Sequence, residues 1–131
     1  MATSKPLIAV VDDDPSVVKS LARTLRSAGF EVSAFGSALE FLGFLETSLP
    51  RCLVLDVQMP EMNGFELQSR LRELGYRVPV VFITAHDTPQ TRATASQSGT
   101  LGLLFKPFGN TALLDLVRRA VEPFSPPPPG P

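Results

Sequence analysis

The chain has 131 residues, the length of one ordinary domain, with 44% hydrophobic and 19% charged residues. A net charge of -1 excludes the basic stripe of a nucleic-acid-binding domain, and a single cysteine, Cys52, excludes an internal disulfide. With no apolar stretch long enough to span a bilayer and no signal-peptide pattern, the sequence reads as a cytoplasmic protein of a reducing compartment.

Short β-rich runs alternate with segments of helical spacing. Residues 7–11 form the first strand. Asp14 then suits an N-cap, with Pro15 at the first helical position, where its fixed φ and missing N–H cost nothing. Val17, Val18, Leu21, Leu25 and Ala28 share one helical face, and Gly29 closes the helix. Residues 31–35 alternate polar and apolar, as in a strand near a sheet edge. Ser37 and Glu40 have capping-box spacing ahead of Phe41, Leu42, Phe44 and Leu45. Residues 52–55 are apolar on both faces, the pattern of a central parallel strand, with Cys52 a core residue.

Asn63 and Glu66 have capping-box spacing at the head of a helix carrying Phe65, Leu67 and Leu71, which Gly75 ends. Residues 78–83 predict a buried strand. The segment 88–98 is the weakest helix, because Thr91, Thr94, Ser96 and Ser98 are poor helix formers and Ala93 and Ala95 are its only apolar residues. Residues 103–105 predict a short strand, and Asn110 a cap for a last helix with Leu113, Leu114, Leu116, Val117, Ala120 and Val121 on its core face. From Pro123 the composition changes, and residues 123–131 read as a proline-rich linker or disordered tail behind a domain of residues 1–122.

Repeated βα units imply a parallel sheet covered by helices on both faces, with right-handed crossovers. The fold class is α/β, flavodoxin-like and doubly wound, with strand order 2-1-3-4-5. That order places the first and third strands side by side and gathers the strands' C-terminal ends at one edge, where ligands bind in such sheets.

Four strand-like runs end in polar groups at that edge. The first ends in Asp12, Asp13 and Asp14, the others in Asp56, in Thr84 and in Lys106-Pro107. Two like charges ~4 Å apart cost about 4 kcal/mol at an effective dielectric near 20. Asp14 serves as the cap, which leaves Asp12 and Asp13 without a structural purpose unless a hard divalent cation offsets their repulsion. Pro60 and Gly64 impose a tight loop after Asp56, with Gly64 able to take positive φ. The proline after Lys106 biases it to extended geometry and aims its ammonium at the same edge. Carboxylates, a hydroxyl and an ammonium suit phosphoryl transfer with a divalent cation.

These motifs, Val10-Val11-Asp12-Asp13-Asp14-Pro15, Leu55-Asp56 through Asn63-Gly64, Ile83-Thr84-Ala85 and Phe105-Lys106-Pro107-Phe108, resemble the receiver (CheY-like) domain of bacterial two-component response regulators. The resemblance covers residues 7–121 and looks closest to the FixJ-type branch, whose members usually carry a helix-turn-helix output domain. It implies Asp56 as phospho-acceptor, with Asp12, Asp13, Asp56 and the backbone carbonyl of Gln58 as Mg²⁺ ligands. Thr84 and Lys106 would each meet a phosphoryl oxygen, and Gln58 and His86 would modulate acyl-phosphate lifetime. It also implies a sensor histidine kinase as donor, an output domain or effector as target, a role in transcription regulation, dimerisation on phosphorylation, and no direct nucleic-acid or membrane contact. Such a domain is not a conventional enzyme, although it promotes its own phosphorylation and dephosphorylation.

The chain departs from the pattern at Leu103, where the family usually has an aromatic switch residue. Leucine cannot make a phenol hydrogen bond, so phosphorylation is expected to order the fourth helix region rather than rotate one ring. The competing reading from this departure is a pseudo-receiver, a phosphorylation-independent interaction module. A haloacid-dehalogenase-type phosphotransferase would need an aspartate where Gln58 stands. A flavodoxin-like electron carrier would need a phosphate-cradling loop where Asp12, Asp13 and Asp14 would repel FMN.

Overall fold

In the computed structural model, which describes residues 5–122, the expected alternation is complete. Strands β1 (Leu7–Val11), β2 (Glu31–Phe35), β3 (Cys52–Asp56), β4 (Val80–Thr84) and β5 (Gly102–Phe105) interleave with α1 (Pro15–Ser27), α2 (Ala38–Phe44), α3 (Gly64–Glu73), α4 (Pro89–Gln97) and α5 (Asn110–Val121). All pairings are parallel and the order is β2-β1-β3-β4-β5, as expected. The proline-rich segment 123–131 lies outside the described residues.

Alternate residues of each central strand supply two cores. Ile8, Val10, Cys52, Val54, Val81 and Ile83 face α1 and α5, meeting Leu21, Leu25, Leu113 and Val117. Ala9, Val11, Leu53, Leu55 and Phe82 face the other way, toward Phe41, Leu67, Leu71 and Ala95. Both faces of β3 and β4 are therefore dry, which is why their sequences are apolar throughout. Cys52 is fully buried, and burial pushes its thiol up to about 12, which makes it an inert packing residue.

Local caps set where the helices begin. Asp14 accepts from the backbone N–H and hydroxyl of Ser16, and these bonds hold its carboxyl below the ordinary range. Asn63 and Glu66 form both bonds of a capping box. Ser37 forms half of one: its hydroxyl accepts from Glu40 N–H, but the Glu40 carboxylate turns to the backbone of Gly36.

Two expectations need correction. β4 starts at Val80 instead of residue 78, because Pro79 has no N–H to donate to the ladder and contributes only its carbonyl, to Leu53 at 2.9 Å. Gly109, with no side-chain cap, takes the N-cap of α5, and Asn110 is its first helical residue. The inward face of α4 is Thr91 and Ala95, one turn apart, while Ala93 is exposed.

Candidate phosphoryl-transfer site

The parallel pairing of β1 with β3, in which Val11 stands opposite Leu55, brings Asp12 next to Asp56. Asp12 is 1% exposed and Asp56 3% exposed, whereas Asp13 points into solvent at the rim. One carboxylate oxygen from each of Asp12, Asp13 and Asp56 lies within 4.8 Å of the others. Asp12 is fixed from two sides: its N–H donates to the Phe35 carbonyl at 3.1 Å, and its Oδ1 accepts from Asp14 N–H at 2.9 Å.

Lys106 reaches this pair from the end of β5. Its N–H extends the ladder by donating to the Thr84 carbonyl at 2.8 Å, and Lys106-Pro107 is a cis peptide bond. The ammonium Nζ lies 2.8 Å from Asp12 Oδ2 and 3.4 Å from Asp56 Oδ1. Burial works against the charged ammonium, but Asp12 and Asp56 outweigh it and hold the lysine above its ordinary value.

Asp56 shows the electrostatic tension directly. Burial pushes its carboxyl up to about 7, Asp12 adds to the rise, and Lys106 only partly opposes it. A hard divalent cation held by these oxygens would relieve that repulsion. The oxygen-only donor set at the mouth of the sheet therefore fits Mg²⁺.

Thr84 completes the edge. It is fully buried, donates its hydroxyl to the side-chain oxygen of Gln58 at 2.5 Å and accepts from His86 N–H at 3.0 Å. The edge thus presents carboxylates, an ammonium and a hydroxyl around one buried aspartate. A family model for the response regulator receiver domain matches residues 8–118. The chain belongs to that family.

Nodulation protein W of Bradyrhizobium diazoefficiens is 43% identical over 122 residues, which cover 92% of this chain and 53% of that protein. The transcriptional regulatory protein TdiR of Thauera aromatica is 39% identical over 114 residues, 87% of this chain and 50% of that one. The receiver thus spans about half the length of these two relatives. The crystal structure of FixJ-N superposes with a TM-score of 0.84 at 33% identity, covering 95% of this chain and 99% of that one. This agrees with the FixJ-type resemblance of the sequence.

The receiver brings Asp12, Asp13, Asp56, Thr84, Lys106 and Gln58 to one edge. His86 and Leu103 stand apart from the acidic cluster. His86 is exposed and meets the site only through its backbone N–H. Leu103 is half-buried, opposite Phe82 in the β4–β5 register, where it packs into the core. Sequence reasoning gave Gly64 the wrong reason for being glycine. Positive φ in this loop falls on Glu61, at 71°, while a Cβ on Gly64 would stand 2.4 Å from the Asp56 carbonyl oxygen. Gly64 lets α3 begin against the backbone at the end of β3, with its N–H donating to Val57 O at 2.9 Å. The contact between Arg92 and Phe105 gave no signal in sequence either. The Arg92 guanidinium carbon lies 4.6 Å from the Phe105 ring centroid, one residue before Lys106.

Proposed function

We propose that this receiver accepts a phosphoryl group from a sensor histidine kinase onto Asp56, in a Mg²⁺-dependent reaction, and changes conformation to control an output. The observation that carries the reading is the buried Asp56 carboxylate with Asp12 on one side and the Lys106 ammonium at 3.4 Å. Asp56 is the only one of the clustered acids that is both buried and free of a short hydrogen bond to its own loop, among the described residues.

An Asp56 oxygen would attack phosphorus as the bond to the donor imidazole nitrogen breaks, and the imidazole would leave protonated. The product is an acyl phosphate, a covalent intermediate of a known kind. Phosphoryl transfer needs little beyond alignment and charge neutralisation. Asp12, Asp13, Asp56 and the Gln58 carbonyl would hold Mg²⁺, which supplies charge neutralisation at the phosphoryl oxygens. Lys106 would exchange its carboxylate partners for one phosphoryl oxygen, and Thr84 would turn its hydroxyl from Gln58 to another. Water attack on phosphorus would later return free carboxylate and inorganic phosphate. The exposed side chains of Gln58 and His86 flank that path and would tune the lifetime of the acyl phosphate.

Receiver domains work between histidine kinases and output domains. The length of the relatives and the name of TdiR support an output in transcription control. No helix among the described residues is long and apolar enough to cross a membrane; the one cysteine of the sequence, which can form no internal disulfide, fits a cytoplasmic setting for this reading. The pseudo-receiver alternative finds no support, because acceptor, acid pair, threonine and lysine stand at one edge. The test is intact-mass spectrometry after incubation with Mg²⁺ and acetyl phosphate, alongside Asp56→Asn. The reading expects one added phosphoryl group on the parent and none on the variant; an unmodified, folded, Mg²⁺-binding parent would refute it.

A further inference from the structure

Leu103 leaves the usual aromatic relay of this edge without its ring, yet a different path links the same two site residues. Thr84 Oγ1 accepts from His86 N–H at 3.0 Å. The next residue, Asp87, takes the fork of Arg92, with Nε at 2.6 Å from Oδ1 and Nη2 at 2.8 Å from Oδ2. The Arg92 guanidinium stacks over Phe105, its carbon 4.6 Å from the ring centroid. Phe105 immediately precedes Lys106, whose N–H returns to the Thr84 carbonyl at 2.8 Å. The path begins at Thr84, crosses the β4–α4 loop and the first turn of α4, and closes at Lys106.

Arg92 matters here because little else holds that turn. The buried face of α4 consists of Thr91 and Ala95, two small side chains. The helix is capped by Thr88, whose hydroxyl accepts from Thr91 N–H at 3.1 Å. An exposed ion pair adds little to global stability. A bidentate fork that also stacks on a ring instead fixes direction, since planar guanidinium geometry is satisfied in one orientation. Asp87 and Arg92 reinforce each other: the side-chain bond between them holds Asp87 below its ordinary value and raises Arg92.

We infer that Arg92 is the positioning residue that couples the phosphorylation site to the α4–β5 surface, acting through Asp87 on one side and Phe105 on the other. The inference rests on the reading of Asp56 as acceptor. When Thr84 and Lys106 turn to a phosphoryl group, the His86 N–H and the Phe105 backbone are drawn with them from opposite ends. The Arg92 clamp converts these two displacements into one rearrangement of the first turn of α4. Without the clamp the site is still phosphorylated, but α4 and β5 no longer respond together.

The test is amide hydrogen exchange on the full chain, with and without Mg²⁺ and acetyl phosphate, for the parent, Arg92→Ala, Arg92→Lys and Phe105→Leu. Intact mass is read on every sample, and urea midpoints confirm folding. In the parent, phosphorylation changes protection across Pro89–Gln97. In Arg92→Ala and Phe105→Leu, α4 exchanges roughly threefold faster before phosphorylation, and the phosphorylation-dependent difference is lost although Asp56 still gains its phosphoryl group. Arg92→Lys, which keeps charge and loses the fork, recovers only part of the difference. A purely structural role would shift the urea midpoint and leave the difference in place. If the difference survives at parental size in phosphorylated Arg92→Ala and Phe105→Leu, the coupling role is wrong while the acceptor reading stands. If the parent gains no phosphoryl group, the acceptor reading fails and the coupling falls with it.

Discussion

The β1–β3–β4 centre and the α4–β5 flank are built to opposite standards. Every residue of β3 and β4 is buried, and Asp56, the proposed acceptor, is the last residue of β3. Every residue of β5 is only half-buried, and α4 turns two small side chains inward. A nucleophile must keep its place against charge repulsion, so its support is deep and apolar. A surface that reports the state of the site must have a second arrangement within reach, and shallow packing makes one accessible.

The contrast can be broken first in the core. Phe82→Ala removes a fully buried ring that faces Phe65 at 4.7 Å, and should lower the unfolding free energy by about 3–5 kcal/mol in urea titration. A loss below about 1 kcal/mol would mean that the centre is as loosely packed as the flank. Gly64→Ala comes next. The added methyl meets backbone rather than a flexible side chain, so the chain itself must move, at about 1–3 kcal/mol in the same titration. It should also slow phosphorylation, because the atom struck is the Asp56 carbonyl. Equal loss of stability with an unchanged rate would separate the loop from the chemistry.

A smaller effect concerns pH. Folding lifts Asp56 from 3.8 to about 7, so between those values the folded state holds the extra proton. Stability of the metal-free protein should therefore fall as pH rises from 5 to 7, seen as a declining melting temperature in EDTA. Asp14 and Asp87 are shifted down and act only below 3.8, outside that window. Mg²⁺ should reverse the trend, since it binds the ionised carboxylate and gains affinity as the proton leaves. A melting temperature that climbs with pH in EDTA would contradict the buried-acid picture. The smallest effect belongs to the flank. Thr94 is exposed on α4, and Thr94→Ala should stabilise the helix by about 0.5 kcal/mol, read as slower amide exchange within Pro89–Gln97. Exchange there that is no faster than in α1 before the substitution would remove the contrast.

Most of the acidic edge was legible in the sequence for a physical reason. A strand that must be apolar on both faces and then stop at a ligand edge leaves a sharp boundary, and Asp12, Asp56 and Thr84 each stand at one. Helix starts were legible where a side chain does the capping, as at Asp14 and Asn63, and not where backbone geometry alone suffices, as at Gly109. The role of Gly64 was hidden because close approach between α3 and the end of β3 is a tertiary fact. The Arg92 stack was hidden for the same reason: two side chains on different elements meet through the sheet register, and neither position breaks any periodic pattern. The weakness of α4 was visible in its threonines and serines, but which of its small residues turned inward depended on where Pro89 started the helix.

The most direct measurement is chemical trapping of the acceptor. After incubation with Mg²⁺ and acetyl phosphate, borohydride reduces an acyl phosphate to an alcohol, so a phosphorylated aspartate becomes homoserine. Peptide mapping should then find homoserine at position 56, with Asp12 and Asp13 intact. Homoserine at position 12 or 13, or none in a folded Mg²⁺-binding protein, would contradict the assignment of Asp56 as the nucleophile.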